Sequence, residues 1–175
     1  VALFVGYVKA ISLLEDIRRV FMYHGAEHKC INCIENGMEL TVENAKKQTM
    51  VHKRCGTSFM LVVMFVSILL FMFISVPNMW VRMVLRILLI PVIAGISFEF
   101  ISLAGKSENP VINVLSKPGF WLQALTTREP NDSMLEVAIS SVEAVFDWRD
   151  FLAHYEDEEE QPEEEGFEVV DVEDE

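Results

Sequence analysis

Cysteine and histidine are scarce in this 175-residue chain, with three and four copies respectively. Three cysteines cannot pair completely, and two of them stand as Cys30-x-x-Cys33. That count argues against a disulfide framework and favours thiol or metal chemistry. There is no glycine-rich phosphate loop, no G-x-S-x-G elbow and no basic-aromatic pattern suited to nucleic acid, so no nucleic-acid partner is expected. Charge is missing from Phe59 to Val76, where only Ser67 and Ser75 are polar. The net charge of −13 does not describe the body of the protein. Fourteen basic and fourteen acidic residues balance over residues 1–155, and the other thirteen acids all lie in residues 156–175. That acidic, repeat-like stretch is expected to be a disordered, solvated tail.

The uncharged run is a transmembrane helix candidate at the lower end of the usual length. Pro77-Asn78 makes a short turn, Trp80 stands where an interfacial aromatic would, and a second apolar span runs from about Val81 to Ala104. Arg82 and Arg86 lie in its first turns and can snorkel to the interface. Glu99 either faces protein, water or a partner, or lies close to the far interface. Pro91 and Gly95 can bend this helix. A tight hairpin puts both flanks on one side. Residues 18–54 carry seven Lys and Arg, and the hairpin loop has none before Arg82. The positive-inside rule therefore assigns the flanks, including the C-terminal region, to the cytoplasm. The opening VALFVGYVKAISLL is too short to span a bilayer and reads as the end of a truncated membrane helix, an interfacial helix, or a buried amphipathic helix.

What is present is concentrated in Tyr23–Ser58, which holds three of the four histidines and all three cysteines. His24-Gly-Ala-Glu27-His28 is an H-x-x-E-H pattern. On a helix these positions share one face, so two imidazoles could hold a metal with a carboxylate beside them. In the inverted zinc-protease motif that Glu is the general base, which makes Glu27 the candidate catalytic residue. A third ligand is needed, and His52, Cys55 and Glu35 are within reach by sequence. A second grouping takes Cys30-x2-Cys33 with His52-x2-Cys55 as a closed, structural zinc ribbon. A third reading has thiols and histidines packed without metal. Lys46-Lys47 and Lys53-Arg54 are basic pairs that anionic headgroups would attract.

Elsewhere, Ile17–Cys33 is compatible with a helix, Asn36-Gly37 signals a turn, and Thr41 can cap a short helix from Val42 to about Met50. Asn109-Pro110 and Lys117-Pro118-Gly119 read as turns flanking a short apolar segment. Ser133-x-x-Glu136 reads as a capping box opening one amphipathic helix that ends near His154. Its apolar face could engage a protein partner. His154 stands apart and reads as a surface residue. The segments are thus 1–14 apolar, 15–58 His/Cys-rich, 59–104 two spans, 105–155 helical and 156–175 acidic tail.

YHGAEHK, LTVEN, H-x-RCGTSF, the apolar hairpin, GISFEFISLAGKSENP and PGFWLQALTTREPNDSMLEVAI follow one another in this order. Together they resemble the YqhQ-like bacterial membrane proteins over about residues 4–145. That family has been labelled a predicted metal-dependent enzyme, so the resemblance implies a metal but no reaction. It carries His24, Glu27, His28, Glu43, His52, Cys55 and Glu99 onto the family pattern, with Arg128 and Glu129 in the LTTREP motif. Cys30 and Cys33 are not general features of it, which argues against the ribbon. Relatives begin further upstream, as expected of a fragment. The expectation is therefore a mainly α, multi-pass protein of the bacterial cytoplasmic membrane with a transmembrane hairpin and a cytoplasmic helical region. Its cytoplasmic face would carry a divalent metal, zinc, on His24, His28 and His52 or Cys55, with Glu27 as base or further ligand, and its spans would meet the lipid bilayer. The competing expectation is a non-enzymatic scaffold or assembly factor with a structural metal site.

Overall fold

A computed structural model describes residues 1–74, 76–107 and 109–160, with side chains from 155 onward left aside. The described residues form eight α-helices and no strand. They are α1 (Ala2–Ile11), α2 (Glu15–Glu35), α3 (Val42–Lys47), α4 (Gly56–Phe73), α5 (Met79–Lys106), α6 (Pro110–Thr126), α7 (Asp132–Glu143) and α8 (Trp148–Glu160).

The helix ends follow local chemistry. Glu15 and Asp16 sit in the first turn of α2, where the helix dipole favours acids. Asn36-Gly37 stops α2: Gly37 has φ 67°, and the Met38 amide bonds back to the Cys33 carbonyl at 3.0 Å. Thr41 caps α3 by accepting from the Asn44 amide at 3.2 Å, as its sequence suggests. Asn78 caps α5 by accepting from the amides of Trp80 and Val81. Arg82 closes the same turn by donating to the Val76 carbonyl at 3.0 and 2.7 Å.

Three expectations change in detail. Lys117-Pro118-Gly119 is not a turn but lies inside α6, which Asn109 caps and Pro110 opens at its first position. Pro118 gives up one helical hydrogen bond, and Gly119 lets α6 press onto α4: a Cβ there would stand 2.9 Å from Ser58 Oγ and 3.0 Å from Ser58 Cβ. The cap of α7 is Asn131, whose side chain accepts from the Met134 amide at 3.0 Å, while Ser133 only donates to Asn131. The C-terminal helix is two helices, because Asp147 caps α8 through the amides of Arg149 and Asp150. Helix α8 continues through Glu160, and the acidic tail beyond it lies outside the described residues.

Packing separates two groups of helices. Helix α2 packs on α7 and α3, and α4 packs on α5 and α6, with α1 against α6. The buried core of the first group is Ala26, Cys30, Cys33, Ile34, Leu40, Ala45, Leu135, Ala138 and Trp148. The second group is dominated by two helices long and apolar enough to cross a membrane, Gly56–Phe73 and Met79–Lys106, of mean hydropathy 2.4 and 2.2. Only 11% and 22% of their most apolar windows are buried within the protein. Such exposure is foreign to the core helix of a water-soluble domain.

The α4–α6 crossing leaves no room for a side chain at position 119. Gly119→Val is expected to lower stability by about 1–3 kcal/mol through overpacking, read as a fall in the midpoint of thermal unfolding in detergent. Gly95→Ala, where nothing lies within 4 Å of the added Cβ, should be neutral or raise the midpoint slightly.

Candidate metal centre

At about 100° per residue, His24, His28, Asn32 and Glu35 fall within an arc of roughly 80° on α2. This polar stripe faces the connection between α3 and α4, which runs from Gln48 to Cys55. Side chains pin that connection at several points. Asn32 donates to the carbonyls of Thr49 and Val51 at 2.8 and 3.0 Å. Gln123 of α6 is 1% exposed. It clasps the backbone of His52 from both sides, accepting from its amide at 3.1 Å and donating to its carbonyl at 2.6 Å. The same amide group donates to Ser58 Oγ at 2.8 Å. The connection therefore delivers Cys55, the N-cap residue of α4, to the stripe.

There the His24, His28 and Cys55 donor atoms lie within 4.8 Å of one another, a grouping that could hold a metal ion. His28 and Cys55 are buried and His24 is half-buried. His24 Nδ1 lies 2.9 Å from the Thr126 carbonyl oxygen, and His28 Nδ1 lies 2.6 Å from that of Met50. A carbonyl only accepts, so both Nδ1 atoms carry hydrogen and both Nε2 atoms are left to face the sulfur. His24 Nε2 is 3.4 Å from Cys55 Sγ, and Thr57 Oγ1 is 3.2 Å from it.

Burial pushes the Cys55 thiol up, but hydrogen bonds with His24, His28 and Thr57, the last through side chain and backbone, outweigh it and hold the group at about 5. The N-terminus of α4 favours the thiolate in the same sense. His24 is raised, first by its hydrogen bond to Cys55, against burial and with help from the Thr126 carbonyl. The arrangement suits a thiolate, and a cation can take the place of the proton the three groups share. Two imidazoles and one thiolate are a donor set for a borderline-soft ion such as zinc. The same Cys–His contact is also the geometry of an activated thiolate nucleophile.

The other residues singled out in the sequence lie elsewhere. His52 is buried, and its Nε2 donates to Glu35 Oε2 at 3.2 Å, with its ring 5.6 Å from that of His28. Arg54 pairs with the same Glu35. The Glu35 carboxyl lies below the usual range, with the His52 hydrogen bond as the largest cause, opposed by burial. Glu27 is exposed and is not among the converging donors. On the helix it lies about 60° to the far side of His24 and about 100° from His28, in a cleft between α2 and α7 lined by Val20, Tyr23 and Val142. Cys30 and Cys33 point into the core on the opposite side of α2. Burial pushes the Cys30 thiol up to about 12, with Cys33 and Glu27 adding to it. Among the described residues Cys55 converges with His24 and His28 and not with Cys30 and Cys33, so the four-ligand ribbon is not assembled. Glu43 forms an exposed pair with Lys47, and Glu99 is exposed on α5.

Several residues that hold the site were not singled out individually, although Gln123, Thr126 and Ser58 lie within the family motifs. Gln123, Asn32, Thr126 and Ser58 are polar and buried or nearly so, and their tertiary partners reveal them. For Asn32 the signal was its helical spacing from His24 and His28. The Thr127–Glu129 segment crosses α2 at Gly25, where the Arg128 amide donates to the Phe21 carbonyl at 2.9 Å. A Cβ on Gly25 would collide with the Arg128 carbonyl oxygen. Beside it, the buried Lys29 ammonium pairs with Glu129 at 2.8 Å and donates to the Lys46 carbonyl at 2.9 Å.

This chain belongs to a family described as a protein family of unknown function, DUF1385, whose model matches residues 1–148. It is 46% identical over 140 residues to the uncharacterized protein YqhQ of Bacillus subtilis (strain 168), an alignment that covers 79% of this chain. The chain spans less than half of that relative, 44% of its length. No solved structure matches.

The crossing at Gly25 supplies the carbonyl that orients His24. Gly25→Ala should push the Thr126–Arg128 segment off α2 at a cost of about 1–3 kcal/mol. Thermal unfolding should report the loss. Cadmium titration, followed by thiolate-to-metal absorbance, should report weaker binding at His24 than in the parent protein.

Proposed function

We propose that the protein is a multi-pass protein of the bacterial cytoplasmic membrane that binds one divalent metal ion, zinc, through His24, His28 and Cys55 at the cytoplasmic base of the α4–α5 hairpin. The observation that carries this reading is the convergence of two Nε2 atoms and one sulfur within 4.8 Å, with both Nδ1 atoms held by backbone carbonyls. Metal-binding histidines commonly use their second nitrogen in this way, which fixes the tautomer and the ring plane. Three protein ligands leave a fourth position open, the pattern of catalytic rather than structural zinc. A zinc ion in such a site supplies Lewis acidity for hydrolysis.

The function we infer is a metal-dependent hydrolase. His24 and His28 orient the site from one helix, and Cys55 closes it from another. His52 serves as a positioning residue: held by Glu35 and Gln123, it fixes the connection that carries Cys55. Glu27, open to solvent in the cleft beside His24, takes the part of the base; this role rests on the H-x-x-E-H pattern. The exposed apolar surfaces of α4 and α5 support the membrane reading, and the Lys and Arg content of residues 18–54 supports the orientation.

A second reading is a non-enzymatic membrane scaffold with a structural metal. It is favoured by the exposed Val145, Phe146 and Phe151 near the α7–α8 joint, a surface suited to a protein partner. Chelation separates the two. An enzyme loses activity and keeps its fold, whereas a structural site takes the α2–α3–α7 core down with it.

Elemental analysis of purified protein should find about one zinc per chain in the parent, and the His24→Ala/His28→Ala and Cys55→Ser variants should lose it, because removing any one of three ligands abolishes tight binding. No metal in the parent after reconstitution sinks the reading. Glu27→Gln should keep its metal and lose hydrolysis; full activity in that variant removes Glu27 from the mechanism. For topology, cysteine probes at Lys47 and Met79 should react with impermeant reagent from opposite faces, Lys47→Cys from the cytoplasmic side. The reverse pattern overturns the orientation.

A further inference from the structure

Two clefts approach the site from different sides, and their chemistry differs. The one between α2 and α7 reaches His24 and Glu27, carries an acid, and has no cation in its lining. The other opens between α4 and α5. It is lined by Arg54, Cys55, Phe59, Phe98, Ile101 and Ser102. It touches the site through Cys55, the one residue common to the two. Gly56, also in its lining, has nothing within 4 Å of the place where a Cβ would stand. Its walls are the aromatic and aliphatic side chains of the first turns of α4 and the last turns of α5. Phe98 is 63% exposed, so the cleft is open sideways, onto the same surface that the two apolar helices present along their length.

The charged residue in the lining of this cleft is a cation, Arg54. The Arg54 stem packs against Gly105, and the side chain, 48% exposed, pairs through its guanidinium with Glu35. Lys106 follows at the exposed end of α5. Lys53, which donates to the Ser107 carbonyl at 3.3 Å, lines the neighbouring cleft against α6 instead. Glu35, the acid at this rim, also bonds His52. Apolar walls below a cationic rim match an amphiphile with an anionic head. Helix α4 spans about 27 Å and α5 about 42 Å. In a bilayer with a hydrocarbon core about 30 Å thick, the base of this hairpin meets the headgroups and the first acyl carbons.

We propose that the α4–α5 cleft seats an anionic glycerophospholipid from the bilayer and presents the ester region of its head to the His24–His28–Cys55 site. The substrate class of the proposed hydrolase is thus a membrane lipid, reached laterally. This rests on the membrane and metal readings above, and its test is chosen to fail separately from theirs.

The full chain is reconstituted into vesicles of equimolar phosphatidylcholine and phosphatidylglycerol. Each lipid is supplied in turn as a probe with a diazirine on the first acyl carbons, and labelled peptides are mapped. Label from phosphatidylglycerol should concentrate on the peptides containing Phe59 and Phe98–Ser102. Ser102→Trp, which fills the cleft, should reduce that label about fivefold, and Arg54→Gln should cut the preference for phosphatidylglycerol over phosphatidylcholine by about fivefold, the value of one charge at a lipid surface. Phe98→Ala, which removes one wall, is a second variant should Ser102→Trp not fold. Label spread evenly over Met72 and Leu88, or unchanged in folded cleft variants, overturns the proposal. Metal content is measured on the same samples, and Ser102→Trp should keep its metal. Concentrated label on a protein that binds no metal overturns delivery to the metal site. Extraction of the protein by alkaline carbonate overturns the membrane reading instead.

Discussion

Two backbone carbonyls, those of Thr126 and Met50, set the chemistry of this protein. By accepting from Nδ1 of His24 and His28 they aim both Nε2 atoms at one sulfur. They come from distant parts of the chain, so the site exists only when the α3–α4 connection and the end of α6 are both in place. The remaining polar contacts serve that requirement. Asn32 and Gln123 each hold two backbone groups of the connection, and Gly25 lets the segment after Thr126 lie directly on α2. Among the described residues no buried side-chain nitrogen or oxygen lacks a partner. A polar network at that level of satisfaction is rigid, because each group that moved would forfeit bonds it could not replace.

Much of the helical plan was legible in the sequence. The uncharged run, Pro77-Asn78, Asn36-Gly37 and Thr41 mark ends that reappear within a few residues. The failures share a physical cause. Lys117-Pro118-Gly119 has turn chemistry, but α6 continues through it because a helix offers Ser58 a flat place to pack, and tertiary contact outweighs local preference. Ser133-x-x-Glu136 has the letters of a capping box, but Asn131, two residues earlier, takes the cap.

For the site, the H-x-x-E-H pattern groups Glu27 with His24 and His28, yet helical geometry turns it to the other side of His24. The same 100° step sets Asn32 and Glu35 in line with the histidines, and it turns Cys30 and Cys33 away. That arithmetic was available from the spacing alone. The choice of Cys55 over His52 as the third converging donor was not. It depends on Glu35 occupying the His52 ring nitrogen and on Gln123 fixing the backbone between them, and both are contacts between residues far apart in sequence.

The division of donors between helices has a mechanical consequence. Both imidazoles belong to α2, whose other face is packed into the core with α3 and α7. The sulfur belongs to Cys55, the N-cap of the first apolar helix. The direct links between these groups include the bond of His24 to the Thr126 carbonyl, the contact of His24 with Cys55, the pair of Arg54 with Glu35, and the crossing at Gly25. An ion bound by all three donors would tie the hairpin to the α2 layer at the point where the apolar surface begins. Apolar helices left so exposed need cover. If lipid provides it, the tie lies at the edge of the bilayer, where a polar group on a lipid and a thiolate on a helix N-terminus can meet without either entering the hydrocarbon. A site deeper along α4 would face the cost of burying its charge, and a site further along α2 would lose the sulfur. The position of Cys55, one residue before α4 begins, satisfies both constraints.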